Sequence, residues 1–156
     1  MRRTPYVFGF VIATAALVAA AGCDLLPDPE FAAVEGALAL TIVEASRSES
    51  AGSVDFAFEL KNQGGSLVRA CLGPSRNVSG SGGVETLDIV HHPGCMREFA
   101  IEAGKTMRWH ETLPVSGLSS DRVEVQVEIQ VVNPRRCGGA GCQSIHIKST
   151  NKGEVS

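Results

Sequence analysis

The chain has 156 residues and carries 14 basic and 17 acidic side chains, a formal net charge of −3. This length is sufficient for one domain with a substantial hydrophobic core. The acidic balance argues against a nucleic-acid-binding protein, because nucleic acid is bound by clustered Lys and Arg side chains. We therefore expect a single domain whose partner is not nucleic acid.

The first 22 residues predict an export signal. Arg2 and Arg3 form a basic start, and an uncharged run of 17 residues follows from Tyr6 to Gly22. The run ends in small residues, as cleavage by a signal peptidase requires. A run of this length lies at the lower limit for a membrane-spanning helix and has no stop-transfer flank, so an uncleaved anchor is the less favoured alternative.

The segment Leu17-Val18-Ala19-Ala20-Ala21-Gly22-Cys23 resembles the lipobox of bacterial lipoproteins. The resemblance implies that diacylglycerol is joined to the Cys23 thiol, that the chain is cut just before Cys23, and that the new amino terminus is acylated, for example with palmitate. Such acyl chains would hold the protein to a membrane of the cell envelope, facing the periplasm or the cell surface. The choice between inner and outer membrane stays open. In the alternative interpretation, an ordinary secreted protein is cut near Gly22.

Cleavage before Cys23 would leave 134 residues with 12 basic and 17 acidic side chains, a balance of −5. We expect residues 23–36 to form the lipidated cysteine and a short tether, residues 37–150 a β-domain and residues 151–156 a tail. Asp28 followed by Pro29 is compatible with a short helix that ends near Gly36.

From Ala37 onward, apolar residues recur with a period of two, which predicts strands. The clearest strand covers residues 122–132, where valine and isoleucine alternate with glutamate and glutamine. The same alternation predicts strands at 38–42 and 54–60, and weaker patterns predict others at 66–72, 84–91, 97–102, 106–113 and 143–149. Glycine-rich turns separate these segments. Seven or eight short strands of this kind predict an all-β, antiparallel β-sandwich.

Two segments are similar to immunoglobulin-like envelope domains. Phe56-Ala57-Phe58-Glu59-Leu60-Lys61-Asn62-Gln63-Gly64-Gly65 resembles their second strand and turn, and the segment from Ile101 through Trp109 resembles a later turn followed by an aromatic residue. The resemblance implies an immunoglobulin-like β-sandwich and carries no activity with it.

Four cysteines follow Cys23. They are Cys71, Cys95, Cys137 and Cys142. An even number of cysteines in an exported chain predicts two disulfides, for which three connectivities are possible. We favour Cys71–Cys95 and Cys137–Cys142, because each of these pairs closes a local loop.

The segment around His91, His92 and Met96 contains the residue types that bind soft metals. Adjacent strand residues point to opposite faces, however, and a disulfide at Cys95 would remove its thiolate. We therefore expect neither a metal site nor a cofactor. A periplasmic metal-handling protein that uses His91, His92 and Met96 is the alternative function.

Catalytic motifs are not evident in the sequence. No serine stands in a Gly-x-Ser-x-Gly turn, and no glycine loop that would bind phosphate precedes a helix. His110 and His146 are expected on polar strand faces, and Trp109 in the core. We expect no catalytic residues, although an enzyme with a site assembled from scattered residues stays open.

Residues 133–142 are expected to form the tip of a hairpin, closed by Cys137–Cys142. The tip carries Arg135 and Arg136, a positive site on an acidic chain. Guanidinium groups bind carboxylates or phosphates through paired hydrogen bonds, and loops often carry binding residues. The sequence therefore predicts a non-enzymatic envelope lipoprotein whose tip contacts an unidentified envelope protein or glycan. In the alternative, the disulfide only orders the turn and the arginines keep it soluble.

Overall fold

The computed structural model describes residues 29–88, 94–118, 122–138 and 141–156. Within these ranges one helix is followed by nine strands: α1 (Pro29–Ala37), β1 (Leu38–Arg47), β2 (Ser53–Asn62), β3 (Val68–Gly80), β4 (Gly83–Asp88), β5 (Arg97–Ile101), β6 (Thr106–Pro114), β7 (Val123–Gly138), β8 (Gly141–Lys148) and β9 (Gly153–Val155). All pairs of strands are antiparallel.

The strands form two sheets that pack as a sandwich. One sheet has the order β1-β2-β6 and the other the order β4-β3-β7-β8. β5 also pairs with β3, and β9 pairs with β7. The first, second and sixth strands thus face the third, seventh and eighth, an order that matches the A-B-E and C-F-G sheets of immunoglobulin-like domains. The predicted antiparallel β-sandwich is confirmed, with nine described strands where seven or eight were expected.

The alternating pattern of β7 supplies one side of the core. Its apolar residues between Val123 and Val131 are at most 2% exposed, and the intervening glutamates and glutamines point outward. From the opposite sheet, Phe56 and Phe58 stack with their ring centroids 5.2 Å apart, and Trp109 lies 5.1 Å from Phe58. Trp109 is 7% exposed, as expected for a core residue.

β3 is longer than the sequence predicted. The predicted strand ended at Leu72, but the structure continues through Gly73 and Pro74 to Gly80. The register between β3 and β7 shifts between Leu72 and Arg76, and a proline in a sheet is tolerated at such an irregularity. The shift changes which residues face the core, so that Arg76 becomes almost completely buried.

An ion pair crosses the interior between the two sheets. Arg76 Nε, on β3, lies 3.1 Å from Glu111 Oε2, on β6. Arg76 Nη1 donates to the carbonyl oxygens of Gly73 and Ser75 at 2.7 and 2.9 Å, and Trp109 Nε1 donates to Glu111 Oε2 at 3.3 Å. Backbone and indole groups thus add three hydrogen bonds to this pair.

The segment that was expected to be a tail takes part in the fold. β9 pairs with the start of β7, and Val155 is completely buried. Just before it, the Asn151 side chain accepts a hydrogen bond from Ile42 N at 2.9 Å and donates one to Ile42 O at 2.8 Å. Asn151 thereby supplies a strand-like partner to the edge of β1, at the bulge that follows Ile42.

Candidate binding cleft

One end of the sandwich collects several loops around α1. Leu38 at the start of β1 lies opposite Asn62 at the end of β2, and Val68 at the start of β3 lies opposite Ile101 at the end of β5. The hairpin between β7 and β8 extends beyond Val132, which is paired with Cys71. We call this part of the molecule the helix end.

A cleft of about 920 Å³ lies at the helix end, within the size range of ligand sites. It is bordered by α1, by the first residues of β3, by β5 and by residues 133–135 of β7. Its lining is about equally polar and apolar, and its apolar residues include Phe31, Val34, Leu67, Val68 and Phe99.

The helix α1 is packed and does not act as a free tether. Phe31 is 4% exposed and belongs to the hydrophobic core, and Val34 and Ala37 pack partly against it. The carbonyl oxygen of Ala37 accepts a hydrogen bond from Gln63 N at 2.7 Å, which fixes the end of the helix to the loop before β3. The second half of the segment predicted as a tether is therefore a wall of the cleft.

The loop beside α1 is ordered by Asn62, which is completely buried. Its Nδ2 donates to the carbonyl oxygens of Ser66 and Ile101 at 2.7 and 2.9 Å, and its Oδ1 accepts from Gly64 N at 2.9 Å. Because every polar atom of this side chain is bonded, the start of β3 is held in place.

A bulge in β7 forms the opposite wall. The ladder between β7 and β8 shifts register between Val132 and Cys137, which leaves residues 133–136 outside the regular pairing. Pro134 has no N–H to donate, and the Asn133 Oδ1 accepts from Arg135 N at 3.0 Å. Asn133 is 4% exposed, so the turn is anchored from within while Arg135 points to solvent.

The charged residues of the cleft differ in their partners. Arg69, Glu98 and Arg135 are exposed and line the cleft. In the part of the chain that the structure describes, none of these three side chains makes an ion pair. Glu30 also lines the cleft but already interacts with another group.

The two disulfides lie beside the hairpin between β7 and β8. Cys71 is bonded to Cys95 and Cys137 to Cys142, with Cα separations of 5.4 and 4.1 Å, in the connectivity favoured from the sequence. The two bridges are neighbours, since a β-carbon placed on Gly94 would lie 3.0 Å from the Cys142 Sγ. The hairpin tip therefore packs against the loop that precedes β5.

The structure separates the two arginines of the tip. Arg135 lines the cleft, whereas Arg136 does not, is half-buried and already interacts with another group. Arg69 was not singled out from the sequence. It occupies an outward position of β3, and its proximity to residues 133–135 depends on the pairing of β3 with β7, which has no local sequence signal.

Other candidates are only partly described. Cys23, His91 and His92 lie outside the described residues, whereas Met96 is 37% exposed. Among the described residues, no group of three or more His, Cys, Asp or Glu side chains is arranged to hold a metal ion. His110 and His146 are exposed, as expected.

No helix within the described ranges is long and apolar enough to cross a membrane. No protein-family model matches the chain, and a search of curated proteins finds no relative.

Proposed function

We propose that this protein is a lipid-anchored module of the bacterial cell envelope that binds an envelope partner at its helix end. The observation that carries the proposal is the cleft, in which Arg69 and Arg135 make no ion pair with any described residue. A cleft that combines apolar residues with a few charged groups is typical of binding sites.

The amino-terminal segment supports the anchoring part of the proposal. Its basic start, apolar run and Cys23 are arranged as in lipoprotein signals. Two disulfides are compatible with an oxidising compartment outside the cytoplasm.

The anchor would place the cleft near the membrane. Six residue steps separate Cys23 from Pro29, the first residue of α1. Even a fully extended chain of this length spans only about 20 Å. Because α1 lines the cleft, a lipid on Cys23 would keep the binding site close to the bilayer, where membrane proteins and other anchored proteins are accessible.

Binding is a simpler role for this cleft than catalysis. Its described lining contains carboxylates and guanidiniums but neither a histidine nor a cysteine. Nucleophilic catalysis generally requires a hydroxyl or thiol beside a base such as histidine. We therefore propose a non-enzymatic module without a cofactor.

Lipidation is tested by labelling with radioactive palmitate in a bacterial host. The wild-type protein should incorporate label and partition into detergent, while Cys23→Ala should lose the label and accumulate as a precursor. Incorporation of palmitate into Cys23→Ala would contradict the assignment of the anchor.

Partner binding is tested by crosslinking in envelope fractions. The wild-type protein and the Arg135→Glu variant are each purified, and the amount of crosslinked partner is compared. We expect the variant to lose the partner while its melting temperature stays unchanged. Lys61→Glu is the matched control, because Lys61 is exposed and does not line the cleft. Equal recovery of the partner by wild type and Arg135→Glu would refute the role of the cleft.

A further inference from the structure

We propose that the cleft binds an extended, acidic peptide segment of the partner protein, which adds as a short strand to the open edge of β3. This inference rests on the proposed function for the existence of a partner. It specifies the chemistry of that partner and the backbone groups that recognise it.

The first observation is an open edge. From Val68 to Leu72, β3 pairs with β5 along one side. Along its other side the pairing with β7 starts at Cys71, opposite Val132, and no described strand pairs with β3 between Val68 and Ala70. Backbone N–H and C=O groups at such an edge are a template for another strand.

The second observation is the reason why β7 leaves this edge. Its residues 133–136 form the bulge, and Pro134 cannot donate a ladder hydrogen bond. Residues 66–70 and 133–135 both line the cleft, so the cleft lies where the ladder between β3 and β7 has ended. The hydrogen bond from Arg135 N to Asn133 Oδ1 stabilises this separation.

The third observation is the apolar surface beside the open edge. Leu67 lines the cleft and is 46% exposed, whereas Phe31 and Phe99, which also line it, are only 4% and 8% exposed. Alternate side chains of an added strand would point to the same face. Apolar residues at every second position of the peptide would therefore contact this surface.

The fourth observation concerns charge. Arg69 and Arg135 belong to the two segments that border the gap, and neither makes an ion pair with a described residue. Glu98 also lines the cleft, from β5, two positions before Ala100, which pairs with Arg69. It lies one strand away from the gap, however, and Glu30 is already engaged. A carboxylate of the ligand can accept paired hydrogen bonds from a guanidinium. A lipid phosphate could do the same, but it would leave the open backbone edge unused.

The test uses the full-length protein in detergent micelles to select from a library of random heptapeptides. We expect enrichment of peptides in which apolar residues alternate and at least one Asp or Glu is present. Arg69→Glu and Arg135→Glu should each weaken binding of the best peptide by at least about tenfold, the effect of losing one charge-assisted hydrogen bond. The control, Lys61→Glu, should bind the same peptide with an affinity within about twofold of the wild-type value.

A second measurement separates strand addition from simple charge attraction. N-methylation of single peptide bonds removes one backbone donor at a time. Because successive N–H groups of a strand point to opposite sides, we expect weakened binding at alternate positions. If N-methylation weakened binding equally at every position, or at no position, strand addition would be overturned.

The remaining outcomes are also decisive. No enrichment of peptides, or enrichment of basic ones, would overturn the inference. If the full-length protein in micelles instead bound soluble glycerophosphoglycerol, the headgroup of phosphatidylglycerol, and the arginine substitutions abolished that binding, the cleft would be a lipid contact. If Arg135→Glu lost the crosslinked partner but the library yielded no enriched peptide, the proposed function would stand and only the inference of an acidic peptide ligand would be refuted.

Discussion

Arg76 shows how a single residue is accommodated inside this sandwich. Its side chain is 1% exposed, and moving a charge of this size out of water costs several kcal/mol unless it is paired and hydrogen-bonded. The Glu111 carboxylate on the opposite sheet forms the ion pair, and the carbonyl oxygens of Gly73 and Ser75 accept two hydrogen bonds from Arg76 Nη1. The pair therefore fixes the two sheets relative to each other.

Removal of one partner should be strongly destabilising. We expect Glu111→Ala to lower the free energy of unfolding by about 3 kcal/mol, because it leaves the Arg76 charge buried without a carboxylate. In a double-mutant cycle of Arg76→Met, Glu111→Leu and the double variant, the double variant should lose less stability than the sum of the two single changes. Urea denaturation of the three variants measures the coupling.

The exposed pair of Arg108 and Glu59 is a matched control, with an N–O distance of 2.7 Å and an Arg108 side chain that is 72% exposed. Glu59→Ala should change the free energy of unfolding by less than about 1 kcal/mol. Equal losses in Glu59→Ala and Glu111→Ala would contradict the importance of burial.

Local spacing explains which residues the sequence could identify. The disulfide partners were predicted because each pair closes a local loop, and Arg135 was singled out, together with Arg136, because it lies in the hairpin tip 133–142. Arg76 was not predicted to be buried, because the bulge after Leu72 changes the phase of the alternation. Such a shift depends on the neighbouring strand and has no local signature.

At the scale of elements, the last strand completes the edge of the sandwich. β9 contains only three residues, yet Val155 is fully buried and pairs with Val123. Gly153 fits closely, since a β-carbon there would lie 3.0 Å from both Ala45 and Ile42. The carboxyl-terminal segment is therefore expected to contribute to stability.

Val155→Ala should lower the free energy of unfolding by about 2 kcal/mol, because two buried methyl groups are lost and a cavity is left. Val43→Ala is the control, since Val43 is 55% exposed. The control should remain within about 0.5 kcal/mol of wild type in urea denaturation. A Val155→Ala protein as stable as the control would show that β9 is dispensable.

The disulfides should differ in their effect on stability. The loop closed by Cys71 and Cys95 spans 24 residues and that closed by Cys137 and Cys142 only five. The chain-entropy relation assigns about 3.5 and 2 kcal/mol to these loops. Replacing the first pair with alanine should therefore lower the melting temperature more than replacing the second, and the opposite order would contradict this assignment.

Most strands could be predicted from the sequence because one face of each is apolar and the other polar. The second half of β3 was not predicted, because Gly73 and Pro74 interrupt the alternation of apolar and polar residues. β9 was missed because three residues are too few for a periodic pattern. The cleft could not be predicted either, since it requires α1, β3, β5 and the bulge of β7 to meet.

At the scale of the whole molecule, the proposed lipid anchor and the cleft belong to the same end. α1 is packed into the core through Phe31, so only a short segment would separate the anchor from the domain. A lipid on Cys23 would restrict the partners of the cleft to proteins that approach the membrane surface. The opposite end, which carries the turn between β1 and β2, would face away from it.

The central claim is that the cleft is the site at which the anchored protein holds its partner. It is tested most directly by placing a photo-crosslinking amino acid at position 100 or position 51 of the full-length protein in bacterial cells. Ala100 is exposed and lines the cleft, whereas Ala51 is exposed in the turn between β1 and β2.

We predict that Ala100 is crosslinked to an acidic, extended segment of one envelope protein and that Ala51 is not. The crosslink from position 100 should disappear when Arg69→Glu or Arg135→Glu is added, and persist with Lys61→Glu. Crosslinking that is equal from both positions, or that survives both arginine substitutions, would contradict the claim.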